Sequence, residues 1–188
     1  IGPTGYVRED GVTVDEMTEA DMNEVADNFA ETAYQAKRYG FDMIMVHGGH
    51  GWIFTQFTSP LTNKRTDKYG GSVESRVRFP VMCLENIRKK VGNNFPVDMR
   101  ITGDEIIEGG YHIDESKEFI KYLAPYVDMI QCSTGGIFHP DATARMSPPV
   151  FFEKGCNVHF ATAIKESVNI PVSCVGGINE PQQMEEII

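Results

Sequence analysis

Four short apolar runs, at 42–46, 96–102, 127–132 and 170–175, alternate with longer stretches of helical period. That alternation limits the fold more than any other feature. Strands separated by helices pair in parallel and are covered by those helices. The first helix is the best marked. Thr18 followed by Asp21 resembles a capping box, and Met22, Val25, Ala26, Phe29, Ala30, Ala33 and Ala36 recur at three- and four-residue steps along one face. Gly40 stands where such a helix ends. Ser72 caps a second helix over 73–91 closed by Gly92, Asp114 caps a third to Leu123, and a fourth covers 158–167. Gly176, Gly177 and then Pro181 open a last helix. Residues 1–17 are turn-rich, with one short extended piece around Val12, Val14 and Met17. No antiparallel hairpin signal interrupts the alternation of strands and helices.

Two architectures satisfy this alternation: an open doubly wound sheet and a closed barrel. The second strand chooses between them. Val97, Met99 and Ile101 point to one face, and Asp98, Arg100 and Thr102 to the other. An open sheet buries both faces against helices, which leaves the arginine short of partners. A barrel gives its strand ends a lumen in which an arginine has a use. The fold class expected is therefore α/β, a (β/α)8 TIM barrel. A whole barrel takes about 250 residues, so four units in 188 residues make about half of one. The chain starts at Ile1 and stops inside a helical pattern at Glu185-Glu186-Ile187-Ile188. Residues 1–188 are thus expected to be one partial barrel domain, truncated at both ends.

Bulk properties exclude several functions. A net charge of −10 opposes nucleic-acid and anionic-membrane binding. No apolar stretch reaches the roughly 20 residues that span a bilayer, and no signal peptide is visible. Cys83, Cys132, Cys156 and Cys174 form no C-x-x-C pair, which fits free thiols in the cytoplasm and no cysteine metal site. A half-barrel also has two strand edges, which makes a homo-oligomer one way to cover them.

In such barrels the chemistry collects at the C-terminal strand ends. Four are available here: His47 with His50, Arg100, Ser133 to Gly136, and Gly176 with Gly177. The first lies in His47-Gly48-Gly49-His50-Gly51-Trp52. Two imidazoles loosened by three glycines can donate hydrogen bonds to a substrate oxygen. Arg100 reads either as a salt bridge to Asp98 or Asp104, or as a fixed charge beside an anionic or electron-accepting ring. Gly176 and Gly177 can seat a phosphate on free backbone N–H groups and a helix N-terminus. Between the first strand and the second helix runs a loop of about 25 residues, long enough to need tying down. Within it Arg65, Asp67, Glu74 and Arg76 read as a structural brace. His112, His139 and His159 read as structural or surface residues.

The HGGHGW block, Gln56 to Asn63, Arg65-Thr66-Asp67-Lys68-Tyr69-Gly70-Gly71 and Phe95-Pro96-Val97-Asp98-Met99-Arg100 together closely resemble the Old Yellow Enzyme family of NADH:flavin oxidoreductases. The resemblance covers nearly the whole chain, including its 2-enoate and 2,4-dienoyl-CoA reductase-like branch. It implies a TIM barrel carrying FMN, reduced by NAD(P)H, of which this chain supplies strands four to seven. It implies a small-molecule substrate, an α,β-unsaturated carbonyl whose C=C bond receives hydride from the flavin. His47 and His50 match the pair that bonds the carbonyl oxygen, Arg100 the arginine beside the flavin pyrimidine, and Gly176 and Gly177 part of the phosphate site. Some multidomain members add an iron–sulfur cluster and FAD outside the barrel; this chain encodes neither. Trp52 stands where the family commonly has a proton-donating tyrosine, and an indole is too weak an acid to replace a phenol. Tyr69 and Tyr111 are the chemically suitable replacements. The alternatives are another phosphate-binding barrel enzyme, such as an aldolase or isomerase, and a non-catalytic half-barrel serving binding or assembly.

Overall fold

A computed structural model of residues 1–188 opens with an antiparallel hairpin, β1 (Tyr6–Val7) and β2 (Thr13–Val14). The hairpin lies ahead of the strand–helix alternation, in the turn-rich segment where one short extended piece was expected. Its strands are too short to show alternation, and its signal is the single Asp10-Gly11 pair, with Gly11 at φ 81°. Helix α1 (Glu19–Arg38) follows. The Thr18 hydroxyl accepts from Asp21 N, and the Asp21 carboxylate accepts from Thr18 N, completing the capping box.

The four long-range strands are β3 (Ile44–Gly48), β4 (Val97–Thr102), β5 (Met129–Ser133) and β6 (Val172–Cys174). All pair in parallel, in the order β3-β4-β5-β6. Strand order never reverses, as it must in a doubly wound sheet. Between these strands lie α2 (Ile53–Thr58), α3 (Val73–Val91), α4 (Ile113–Leu123), α5 (Pro140–Met146) and α6 (Val158–Lys165), with α7 (Pro181–Ile187) at the end. The helices pack in a single layer, α1 on α3, α3 on α4 and α4 on α6. This is the parallel α/β arrangement of a barrel segment.

Two helices were not expected. α2 divides the long loop and hides behind a sequence, Ile-Phe-Thr-Gln-Phe-Thr, that has no polar cap. Packing holds it: Phe57 meets Phe79 of α3 at 4.3 Å between ring centroids, and Phe54 meets Phe29 of α1 at 5.0 Å. α5 is short and begins at Pro140, with His139 as its cap. Asp114 also proves not to be the cap of α4. His112 occupies that position, and Asp114 lies in the first turn.

Alternation along the strands divides the sheet as expected. Val46, Val97, Met99, Ile101, Ile130 and Cys132 are buried in the core shared with the helices. The register sets His47, Arg100, Gln131 and Ser173 in one row on the other face, with Thr102 and Ser133 paired above.

The brace is real in three of its four members. The Arg65 guanidinium donates to Pro3 O and Met17 O and forks onto Asp67. Arg76 donates to Thr58 O and Gly71 O and pairs with Glu115 of α4. Glu74 instead meets only Arg78, one turn along its own helix, so it ties nothing down.

Three substitutions test these assignments by urea denaturation. Thr18→Ala is expected to lower stability by about 1 kcal/mol. Arg76→Ala, which strands two carbonyls and a carboxylate, is expected to lower it by about 3 kcal/mol. Glu74→Ala is expected to stay within about 0.5 kcal/mol.

Candidate active site

Close backbone approach explains the glycines of the HGGHGW turn. A Cβ on Gly49 would stand 3.0 Å from both the N and the Oγ1 of Thr102, so a side chain there would force the ends of β3 and β4 to give way. Gly51 has φ 86° and packs under Ile137 and Phe138 of the loop after β5. His50 between them has φ 64°, an uncommon conformation for a residue with a side chain. Its backbone is held at both ends: His50 N donates to Thr102 Oγ1 at 2.8 Å, and His50 O accepts from Ile137 N at 3.3 Å. Thr102 Oγ1 donates in turn to Gly135 O at 3.1 Å.

These contacts bring His47, His50 and Arg100 together. The two imidazole centroids are 5.1 Å apart, at 61°. His47 is exposed on the open face, directly across from Arg100 in register, and its ring has no protein partner. His50 is buried, with Nε2 2.9 Å from Ser133 Oγ. Burial, and then the Arg100 charge, hold His47 below its ordinary value of 6.5. The same causes, with His47 added, push His50 down to about 4. At neutral pH the pair is therefore two neutral imidazoles, each offering one N–H donor.

Of the two readings of Arg100, the salt bridge fails. Asp104 is occupied by His112 Nδ1, Ile106 N and Ile113 N. Asp98 is fully buried, and neither of its oxygens has a partner; burial pushes its carboxyl up. Arg100 makes one long contact, Nη2 to Ser133 Oγ at 3.4 Å, and its buried Nε bonds nothing. A guanidinium with unused donors, backed by no carboxylate, suits an electron-rich ligand.

Gly176 and Gly177 follow β6 after a single residue, Val175. Their N–H groups donate to no protein acceptor, which fits a phosphate. The helix N-terminus expected to assist does not. α7 begins only at Pro181, which has no N–H, and spans 7 residues. Sequence reasoning also missed Asn157. Fully buried, it accepts from Thr134 Oγ1 and donates to Val175 O, locking the ends of β5 and β6 together. A lone Asn before a helix gives no signal of that.

Trp52 caps α2 without a side-chain bond and is half-exposed. Neither tyrosine reaches the pair. Tyr69 Oη points to Glu19 on α1. Tyr111 is completely buried among Thr55, Thr58 and Thr102, which raises its phenol well above the ordinary range. His112 bonds Asp104, His139 caps α5, and His159 stacks on Phe160, all outside the site. No cluster of three or more histidine, cysteine or carboxylate side chains is arranged to hold a metal ion.

The family model for NADH:flavin oxidoreductase / NADH oxidase matches residues 4–188. This chain belongs to that family. It is 40% identical over 173 residues to an NADH oxidase of Thermoanaerobacter brockii, covering 92% of this chain and 26% of the relative. It is 35% identical over 189 residues to an NADPH dehydrogenase of Halalkalibacterium halodurans, covering 100% of this chain and 53% of the relative. Among solved structures, histamine dehydrogenase from Rhizobium sp. 4-9 superposes with a TM-score of 0.87 at 31% identity, covering 99% of this chain and 27% of that one. The chain thus spans from about a quarter to about half the length of these relatives. Flavin and NAD(P)H are the family's cofactors. No helix is long and apolar enough to cross a membrane.

Two buried groups titrate in opposite senses. His50 is held at about 4 in the folded chain against 6.5 when unfolded, so its contribution is lost as pH falls from 6.5 toward 4. Glu105, buried against Ser59 Oγ and Tyr111 N, is raised by burial to about 6 from 4.5, so its contribution is lost as pH rises from 4.5 through 6. Relative to the wild type, His50→Asn is expected to gain stability as pH falls through this window, and Glu105→Gln as pH rises. Urea midpoints measured from pH 4.5 to 6.5 check both slopes.

Proposed function

We propose that this chain forms the histidine and arginine wall of an FMN-dependent oxidoreductase that reduces the activated C=C bond of an α,β-unsaturated carbonyl compound. The observation that carries the reading is Arg100: a guanidinium with a buried, unbonded Nε and no carboxylate partner, two neutral histidines from the next strand beside it. Unused donors at that point fit the electron-rich edge of a flavin. The free N–H groups of Gly176 and Gly177 fit its phosphate.

Bound FMN would supply the two-electron reduction of the alkene at the expense of NAD(P)H. The protein's part is binding, orientation and charge. His47 and His50 offer N–H donors to the carbonyl oxygen and stabilise the negative charge that collects there as the alkene is reduced. Because both rings are neutral, they polarise that oxygen without protonating it. Arg100 keeps a fixed positive charge beside the ring that accepts electrons. Trp52, half-exposed two residues after His50, gives no proton, so the α-carbon proton comes from solvent. The open site and half-exposed Trp52 leave water room to reach it. Four free cysteines agree with a cytoplasmic setting.

The test is the visible spectrum of the intact protein, purified and then reduced anaerobically with NADH. Flavin absorption that bleaches is the expected result. A protein with no flavin, and none taken up from added FMN, overturns the reading and leaves a binding or assembly role. In the flavin-loaded protein, His50→Gln and His47→Gln are each expected to slow enone reduction about 100-fold with flavin content unchanged. Arg100→Ala is expected to lose flavin.

A further inference from the structure

Behind the histidine pair lies a hydroxyl that this chemistry leaves without a task. Ser133, the last residue of β5, is completely buried. Its Oγ stands 2.9 Å from His50 Nε2 and 3.4 Å from Arg100 Nη2, and these are its only side-chain partners. A guanidinium can only donate, so the Ser133 oxygen accepts from Arg100. A serine hydroxyl has one proton, and the other polar atom within reach is His50 Nε2. Were Ser133 to accept from His50 as well, its own buried proton would have no acceptor, so the arrangement that satisfies every group sends that proton to His50. A ring nitrogen that accepts a hydrogen bond in neutral imidazole carries no proton, which puts the ring's own proton on Nδ1. His50 Nδ1 has no partner in the protein and is free for a ligand.

We propose that Ser133 is a positioning residue that passes the charge of Arg100 into the tautomer of His50, so that His50 presents Nδ1–H as its donor to the substrate oxygen. The identity of that acceptor rests on the reductase reading above; the tautomer does not. All the donors in the chain point the same way: Arg100 to Ser133, Ser133 to His50, His50 outward. Hydrogen bonds aligned in series polarise one another. The positive charge of Arg100 is thereby felt at the donor tip while the imidazole stays neutral. Loss of the hydroxyl breaks the series and frees Nε2 to carry the proton.

Nuclear magnetic resonance of the intact protein, isotope-labelled at the histidine ring nitrogens, reads the tautomer directly. The His50 signals are assigned by their loss in His50→Asn. The wild type is expected to show His50 protonated on Nδ1 and bare on Nε2 at neutral pH. Ser133→Ala is expected to shift the population toward Nε2–H, and Ser133→Thr, which keeps the hydroxyl, to restore the wild-type pattern. A wild-type His50 protonated on Nε2 overturns the proposal. So does a Ser133→Ala protein that keeps the Nδ1–H form. If Ser133→Ala does not fold, Arg100→Leu carries the same test, because it removes the donor that orients the hydroxyl; an unchanged tautomer there overturns the proposal. A protein that carries no flavin but shows the expected tautomer pattern sinks only the reductase reading.

Discussion

A single hydroxyl holds the candidate site together. Thr102 ends β4, a strand paired on both sides, and its Oγ1 accepts from His50 N and donates to Gly135 O. One atom thus joins the ends of β3, β4 and β5. Its position follows from strand alternation: Val97, Met99 and Ile101 sink into the helix layer, so Asp98, Arg100 and Thr102 must face the other way. The strained backbone of His50 persists because Thr102 and Ile137 hold both of its polar groups. A change at Thr102 would move the histidines without touching either ring.

Electrostatics at the site depend on an imbalance left in place. Arg65 and Arg76 each fork onto carboxylates and carbonyls. Arg100 has no carboxylate partner, and Asp98, two residues earlier on the same strand, is unpaired as well. A guanidinium with its own carboxylate would be a brace, like the arginines of the long loop. Without one its field reaches the histidines, where it joins burial in keeping them neutral. The same residue type thus serves structure at two positions and presents an unspent charge at a third. Hydrogen-bond partners decide which, rather than exposure.

Much of this was legible in the sequence, and the parts that were not share a cause. The capping box at Thr18, the stop at Gly92, the order of the strands and the split faces of β4 are local or periodic, and each appears where expected. The HGGHGW turn announced itself because its glycines answer to steric demands, Gly48 and Gly49 against β4 and Gly51 against the loop after β5. What stayed hidden depends on contacts distant in sequence. α2 is a helix because Phe54 and Phe57 find Phe29 and Phe79, not because its residues favour one. Asn157 and Ser133 look ordinary until the strand ends converge on them. The choice between a brace and a free charge at Arg100 required knowing where Asp104 turns. Among the family-matched positions, Trp52 is a departure visible from the residue alone, and the structure adds that neither Tyr69 nor Tyr111 can take over.

The unreversed strand order carries a consequence for how the chain comes to be folded. Each strand of the main sheet pairs only with its immediate predecessor and successor. No sheet contact therefore waits for a segment made much later, and loop-closure entropy is met one βα unit at a time. Such a chain can add structure one unit at a time, each strand docking on the edge left by the one before it. The Thr102 link to Gly135 needs only β4 and the turn after β5, so the histidine turn does not depend on β6 or on the glycines that follow it.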